Sequence, residues 1–233
     1  MNRDRVHPQG ARKSVTFAAL VLDASTSMRL IRAEAIHGLN QNLQTLREGA
    51  GPDTPVLVSV LTFNEDVFEA FRLTPADEVP ELTPDEYVHA PGTALLDAMG
   101  TAIVQTQADI DARLADQPGL DWAAVMLVIT DGEENASTHY GQKEVRELVT
   151  AAEATGRWSV GMIGANFDVE GWGRSVGLSG TSVRPFEATG LGTQIALGGS
   201  SRAIATFLGR RRRGLPSTWG LFGEDASSEE DTE

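Results

Sequence analysis

The sequence contains no cysteine, and this absence removes several classes of site at once. Without a thiol, the chain forms no disulfide, offers no thiolate to a metal ion and has no cysteine nucleophile. The absence is typical of proteins from a reducing compartment, and we expect a cytoplasmic protein. Histidine is also scarce, and its four occurrences lack the spacing of metal ligands: His7, His37, His89 and His139.

Long apolar runs are missing as well. No segment reaches the roughly 18 consecutive apolar residues that a membrane helix requires, so we expect no membrane span. Several basic residues precede a short apolar run at 15–22, but the run is brief and no clean cleavage site follows it. We therefore interpret residues 1–13 as a flexible basic arm rather than as a secretory signal.

Positive charge is in short supply. The chain carries 19 Lys and Arg against 33 Asp and Glu, which gives a formal net charge of -14. An acidic surface repels phosphate backbones, so the composition disfavours nucleic acid as a partner. The acidic residues are dense near the end of the chain, and we predict that residues 210–233 comprise an arginine cluster followed by a flexible acidic tail.

Hydrophobic residues make up 41% of the 233 positions, enough for one domain with a sizeable core. Short apolar runs alternate with segments whose apolar residues recur at helical spacing. The runs predict strands at 15–22, 55–63, 67–73, 122–129, 158–163 and 181–186. The helical spacing predicts helices at 29–47, 94–114, 142–154, 169–176 and 193–208.

Alternating buried strands and amphipathic helices predict an α/β fold for residues 14–209, with a mostly parallel sheet covered by helices on both faces. The polar turn at Asn64, Glu65 and Asp66 predicts that strand 67–73 returns antiparallel to its predecessor, at a sheet edge. Residues 74–92 are rich in Pro, Asp and Glu, and we predict a long surface loop there.

Polar side chains follow the ends of two predicted strands. The first strand, within VTFAALVLDASTSM, ends in Asp23, and Ser25 and Ser27 follow at alternate positions. Asp131 ends the fourth strand within ITDGEEN, and Thr93 opens a helix within PGTALLDAM. Because ligands of doubly wound sheets bind at the carboxyl ends of the strands, we expect these five side chains to meet at one edge.

Two carboxylates and three hydroxyls are hard oxygen donors, which suit Mg²⁺ or Mn²⁺ better than zinc or copper. Taken singly, each residue has a simpler interpretation as a turn residue or a helix cap. Their joint placement favours a metal site, with Mg²⁺ as the expected ion and Mn²⁺ or Ca²⁺ as alternatives. Since only two negative charges face the ion, an open coordination position would favour an added carboxylate from outside.

The segments DASTS, GT in PGTALLD, and ITDGEEN resemble the metal-ion-dependent adhesion site of von Willebrand factor type A domains. The resemblance covers roughly residues 15–208, and all five site positions match. It implies a Rossmann-like doubly wound, six-stranded sheet with one antiparallel edge strand. It also implies that the hydroxyls bind the metal directly, that the aspartates bind it directly or through water, and that a partner's Asp or Glu completes the shell.

The length of the chain, together with GTALLDA, TDGEEN and the later IGAN, is most similar to small stand-alone cytoplasmic bacterial members of this family. Some of those are associated with tellurium resistance or stress operons. Close to the predicted ligands, we expect Glu133, Glu134 and Asn135 to form a solvated loop that shapes the rim electrostatically. For Asn166 and Asp168 two interpretations stay open, namely a second layer behind the metal ligands or an ordinary polar turn.

These features support two hypotheses of different classes. The first is a metal-dependent protein-binding module that is not an enzyme and has no nucleic-acid or membrane partner. The alternative is a metal-dependent, phosphatase-like hydrolase, but a haloacid-dehalogenase-like site needs Asp-x-Asp where this chain has Asp-x-Ser, and no paired acid and base or cationic clamp is evident. A third possibility is a regulatory subunit of an ATPase, without a nucleotide site of its own because no phosphate-binding glycine loop is present.

Overall fold

The computed structural model describes residues 13–216 and 220–223, which form a central sheet flanked by helices on both faces. The strands are β1 Ser14–Asp23, β2 Val56–Phe63, β3 Val67–Pro75, β4 Asp121–Thr130, β5 Trp158–Gly164 and β6 Val183–Pro185. The helices are α1 Arg32–Gly49, α2 Leu95–Asp116, α3 Gln142–Ala154, α4 Val169–Ser175 and α5 Gly190–Arg212.

The six strands of the described sheet lie in the order β3-β2-β1-β4-β5-β6. Every neighbouring pair is parallel except β2 and β3, which pair antiparallel at one edge. This arrangement confirms the predicted fold class. The strand order reverses between β1 and β4, so the carboxyl ends of these two strands border the crevice where ligands of doubly wound sheets bind.

β1 lies in the middle of the sheet, and all ten of its residues are buried. Because side chains alternate across a strand, β1 contributes to two separate cores. Leu20 and Leu22 pack with α1 and α5 on one face, whereas Phe17 and Val21 pack with α2 and α3 on the other. Burial on both faces explains why this strand is a continuous apolar run rather than an alternating one.

Some predicted boundaries differ from those observed. The first helix begins at Arg32, three residues later than predicted, because a short 3-10 helix at Thr26–Ile31 precedes it. The last helix continues to Arg212, beyond the domain boundary predicted at 209, and Leu221 and Phe222 also pack into the core beside α5. Most of the predicted basic arm and much of the predicted acidic tail lie outside the described residues, so this domain division stays a prediction.

The segment predicted as a surface loop at 74–92 is instead anchored to the domain. Four of its side chains are buried in the core on the α1 side: Ala76, Val79, Leu82 and Tyr87. Asn40 of α1 also forms two hydrogen bonds with the backbone of Leu82, at 2.9 and 3.0 Å. The segment is a loop, as predicted, but the abundant Pro, Asp and Glu obscured its widely spaced apolar anchors. No helix of the described residues is long and apolar enough to cross a membrane.

The contact between α1 and α5 generates a stability prediction. A β-carbon on Gly38 would lie 2.2 Å from Cδ1 and 2.5 Å from Cβ of Leu197, so Gly38→Ala forces the two helices apart. We expect a loss of about 1–3 kcal/mol in the free energy of unfolding. Gly209→Ala, a control within α5 where a β-carbon meets nothing within 4 Å, should gain about 0.5–1 kcal/mol from helix propensity. Urea unfolding measures both, and equal midpoints for the two variants would contradict this packing.

Candidate metal centre

Asp23 is the deepest of the predicted ligands, with no exposed surface at the carboxyl end of β1. Its Oδ1 accepts a hydrogen bond from the backbone amide of Ser25 at 2.6 Å, which turns the chain sharply just after the strand. Its Oδ2 accepts a hydrogen bond from the hydroxyl of Thr130 at 2.5 Å. Thr130 ends β4, so this bond ties the ends of the two central strands together. Thr130 was not predicted to have any role at the site.

Ser25, Ser27 and Asp131 form a continuous chain of polar contacts. The two serine Oγ atoms lie 3.0 Å apart, and the hydroxyl of Ser27 donates to Oδ1 of Asp131 at 2.6 Å. Ser25 and Asp131 are each only 3% exposed, whereas Ser27 is exposed to solvent. The sheet therefore brings residues that are 104 positions apart into direct contact, and one side of the cluster faces the solvent.

Thr93 approaches the same cluster from the start of α2. Its Oγ1 lies 3.5 Å from the position that a β-carbon would take on Gly132, and Oγ of Ser27 lies 3.9 Å from that position. Thr93 and Ser27 thus flank one glycine next to Asp131. Thr93 is itself only 4% exposed. The structure therefore gathers all five predicted residues at one end of the sheet, while their assignment as metal ligands stays a prediction.

The loop that follows β4 positions Thr93. The side chain of Asn135 accepts a hydrogen bond from the Thr93 amide at 3.0 Å, and the Asn135 amide donates to the Thr93 carbonyl at 3.1 Å. Glu134 accepts a hydrogen bond from the amide of Leu96 in the first turn of α2, at 2.8 Å. The prediction of a simple solvated loop was therefore incomplete, because Glu134 and Asn135 bind the backbone around Thr93.

Tyr87 supports the site from the segment at 74–92. Its side chain is completely buried, its hydroxyl donates to the backbone carbonyl of Asp23, and its ring packs edge-on against that of His89 at 4.4 Å. Nearby, the amide of Ala90 donates to the carbonyl of Ala24 at 3.1 Å. Sequence reasoning missed Tyr87, and the available signal was an aromatic residue inside an otherwise polar segment.

The two residues after β5 that were left open have different roles. Asn166 donates through its side chain to the backbone carbonyl of Asp131 at 3.0 Å, in a left-handed conformation with φ of 68° that asparagine tolerates well. It therefore lies in the layer behind the site. Asp168 caps α4 by accepting from the amide of Gly171 at 2.8 Å, which is the polar-turn alternative.

Without a bound cation, the charged forms of Asp23 and Asp131 are costly to maintain at this site. Burial, with a smaller contribution from the nearby charge of Asp131, raises the pKa of Asp23 from 3.8 to about 6, although hydrogen bonds from Thr130 and Ser25 act to lower it. Burial also raises the pKa of Asp131. Among the described residues, no lysine or arginine forms an ion pair with either carboxylate. Two buried carboxylates without a cation fit a site for a divalent ion.

The hydroxyls are essential to this fit. No group of three or more His, Asp or Glu side chains in the described part of the chain is arranged to hold a metal ion. With only two carboxylates, a six-coordinate ion such as Mg²⁺ would have room for the oxygens of Ser25, Ser27 and Thr93, with water or an external ligand at the remaining positions.

The comparisons with known proteins identify the fold. The structure is similar to a von Willebrand factor type A protein from Catenulispora acidiphila, with 12% identity, a TM-score of 0.50, and coverage of 82% of this chain and 43% of that one. It is also similar to the manganese-loaded TRAP protein of Plasmodium vivax, with 14% identity, a TM-score of 0.51, and coverage of 79% and 72%.

A third similar structure is the D319A mutant of the PilB minor pilin from Streptococcus sanguinis, with 11% identity, a TM-score of 0.56, and coverage of 90% of this chain and 64% of that one. No protein-family model matches the chain, and no curated protein sequence does. The chain spans between 43% and 72% of the length of these three structures. It has the fold of von Willebrand factor type A domains, as the sequence resemblance predicted.

The raised pKa of Asp23 predicts how metal binding depends on pH. A metal ion competes with a proton for this carboxylate, so the affinity for Mg²⁺ should fall as the pH is lowered through about 6. In the metal-free protein the folded state holds this proton more tightly than the unfolded state, so the contribution of Asp23 to stability should fall as the pH rises from about 4 to about 6. Calorimetric titration with Mg²⁺ at several pH values tests the first effect. An affinity that is constant between about pH 5 and 7 would contradict it.

Asn135 provides a test of how Thr93 is positioned. Asn135→Ala removes the side-chain acceptor of the Thr93 amide but leaves all five predicted ligands in the sequence. We therefore expect metal affinity to fall roughly tenfold while the circular dichroism spectrum is retained. Gln41→Ala, at an exposed and uncharged side chain on α1, is the control and should cause a much smaller change. Unchanged affinity in Asn135→Ala would mean that Thr93 is positioned without it.

Proposed function

We propose that this chain is a divalent-metal-dependent protein-binding module, in which a Mg²⁺ ion held at the carboxyl ends of β1 and β4 receives a carboxylate from a partner protein. The observation that supports this function best is the pair of buried carboxylates, Asp23 and Asp131, which lacks a lysine or arginine partner among the described residues. A bound divalent ion would compensate both charges and leave a coordination position for a negatively charged group.

In this proposal the five polar residues supply either neutral oxygen ligands or negative charge. Ser25, Ser27 and Thr93 supply neutral oxygen ligands, which leave the ion strongly electrophilic. Asp131, whose Oδ1 contacts the Ser27 hydroxyl, supplies charge beside them. Asp23 supplies charge from the buried side, where Thr130 and the Ser25 amide fix the orientation of its carboxylate.

The accessible side of the site suits a protein partner. Ser27 is exposed, and Leu30 in the same 3-10 helix is 89% exposed, the most exposed large apolar side chain among the described residues. An apolar side chain beside a charged docking point is typical of protein interfaces, where water exclusion strengthens the polar contact.

The comparisons support a divalent ion without identifying it. The TRAP protein with the same fold is described as manganese-loaded, which supports the view that this fold can hold such an ion. We propose Mg²⁺ for this chain because two carboxylates and three hydroxyls are hard donors, and Mn²⁺ prefers a similar donor set. A bacterial stress-response or ATPase-associated assembly, as the sequence resemblance implies, is the setting that we propose.

A non-catalytic role agrees with the chemistry of the donor set. Asp23 is followed by Ser25 at the position where a phosphatase of the haloacid-dehalogenase type needs a second aspartate. Asp131 donates no proton to a neighbouring base but accepts one hydrogen bond from Ser27. A strongly perturbed carboxylate such as Asp23 is common in catalytic sites, and for that reason the hydrolase alternative deserves its own measurement.

The binding proposal predicts the behaviour of two metal-site variants. Thr93→Val and Asp23→Ala should each abolish retention of a partner from native lysate in the presence of Mg²⁺, because each removes a ligand, and chelator should do the same to wild type. Thr45→Val, on the surface of α1 away from the site, is a matched control and should retain the partner. Retention by Thr93→Val equal to that of wild type, with an unchanged circular dichroism spectrum, would refute the proposal.

The hydrolase alternative predicts a different result in a separate assay. Turnover of a generic phosphoester that requires Mg²⁺ and disappears in Asp23→Ala would favour it. We expect no such turnover by the wild-type chain.

A further inference from the structure

A groove of about 630 Å³ lies between the β2–β3 edge of the sheet and the segment at 74–92. Half of the residues that line it are apolar, and they include Phe68, Phe71, Leu82 and Val88. Phe68 is 49% exposed and Val88 is 67% exposed, so two large apolar side chains face solvent in the same depression. Adjacent exposed apolar side chains of this kind are typical of interaction surfaces.

The groove is also strongly acidic. Four carboxylates line it, namely Glu65, Asp66, Glu69 and Glu86, and none of the described residues that line it is a lysine or arginine. Arg72 approaches Glu69 only at 3.7 Å and is held more closely by Asp109 of α2, at 2.8 Å. The charge of the groove is therefore largely uncompensated, and it is complementary to a ligand that carries lysine or arginine beside apolar side chains.

The groove is continuous with the candidate metal centre. Ala90 lines the groove and forms an isolated β-bridge with Ser25, one of the proposed ligands. On the opposite wall, the carbonyl of Asn64 accepts from the amide of Ala94 at 2.6 Å, directly after Thr93. Glu65 also packs against Gly92, where an added β-carbon would lie 2.8 Å from its Cβ. The two sites therefore share the backbone that borders them.

We infer that this groove binds a basic and apolar segment of the same partner protein that supplies the carboxylate to the metal ion. This inference rests on the proposed function and specifies the chemistry of the partner. The carboxylate docks at the metal, and neighbouring apolar and cationic side chains lie against Phe68, Val88 and the acidic rim. The groove then confers selectivity, because a bare carboxylate–metal contact discriminates poorly among acidic proteins.

The probe for this inference is a random dodecapeptide library displayed on phage and selected on the full chain in Mg²⁺. We expect the enriched peptides to combine one Asp or Glu with lysine or arginine and apolar residues. Binding of the synthesised peptides is then measured by fluorescence polarisation. Enriched peptides without basic residues would overturn the inference.

Groove variants locate the binding. Val88→Ser and Phe68→Ser should each weaken binding of the selected peptides at least tenfold, whereas Val104→Ser, at a 42% exposed valine on α2, should not.

Charge variants test the acidic rim of the groove. The double variant Glu65→Gln and Glu69→Gln should weaken peptide binding several-fold and flatten its salt dependence. The matched control changes two exposed carboxylates elsewhere, Glu147→Gln and Glu170→Gln, and should bind like wild type. Equal affinities across groove and control variants would overturn the inference.

The same peptides separate this inference from the proposed function. Binding that requires Mg²⁺ and Thr93 but is unaffected in Val88→Ser and Phe68→Ser retains the metal-dependent function and overturns the groove. Binding that is unaffected by chelator and by Thr93→Val, yet lost in Val88→Ser, retains a basic ligand for the groove and overturns the metal-dependent function. The chain's own basic residues are a competing occupant. A chain with Arg3→Ala and Arg5→Ala that binds the peptides at least tenfold more tightly, with no such gain in Val88→Ser, would show that these residues fill the groove and would overturn the inference of a separate partner.

Discussion

Two carboxylates share a buried end of the sheet without a cation from the described chain, and the surrounding structure is organised around that constraint. Asp23 and Asp131 repel each other in a poorly solvated place, where each charge is costly to maintain. Hydroxyls of Thr130 and Ser27 and the amide of Ser25 offset part of that cost, yet the pKa of Asp23 stays raised. An arrangement that leaves this cost in the folded state is typical of a functional site rather than of a structural core.

Two layers of structure hold Asp23 and Asp131 in position. The parallel sheet fixes the ends of β1 and β4, and Thr130 joins them directly through Asp23. Around this centre the loops are held from outside, by Tyr87 at the carbonyl of Asp23, by Asn135 at Thr93 and by Asn166 at the carbonyl of Asp131. None of these outer side chains bears a charge, so they fix the geometry without neutralising the site. In our proposal, a bound divalent ion supplies the missing positive charge.

The sequence was informative where the signal is local, and less so where it is not. The apolar runs predicted the six strands of the described sheet, most clearly the central ones, because burial on both faces leaves a continuous run. The polar turn at 64–66 predicted the antiparallel edge. The five site positions were predictable because strand ends converge by topology. Tyr87 and the backbone contact of Glu134 were missed because their partners are backbone groups of distant segments, which no local pattern encodes. The 3-10 helix at Thr26–Ile31 displaced the predicted start of α1, because apolar spacing over a few residues does not distinguish a 3-10 turn from the first turn of an α-helix.

The candidate metal centre and the acidic groove beside it lie on one continuous face of the domain, which we propose as the docking surface for the partner protein. The central claim is that Ser25, Ser27, Thr93 and the two aspartates hold one divalent ion. Crystals of the wild-type chain grown with Mn²⁺ test it most directly, through an anomalous difference map. We expect a single strong peak about 2.1 Å from the serine hydroxyls and close to Asp131. A map with no peak there, or with its peak bound only by surface carboxylates elsewhere, would contradict it.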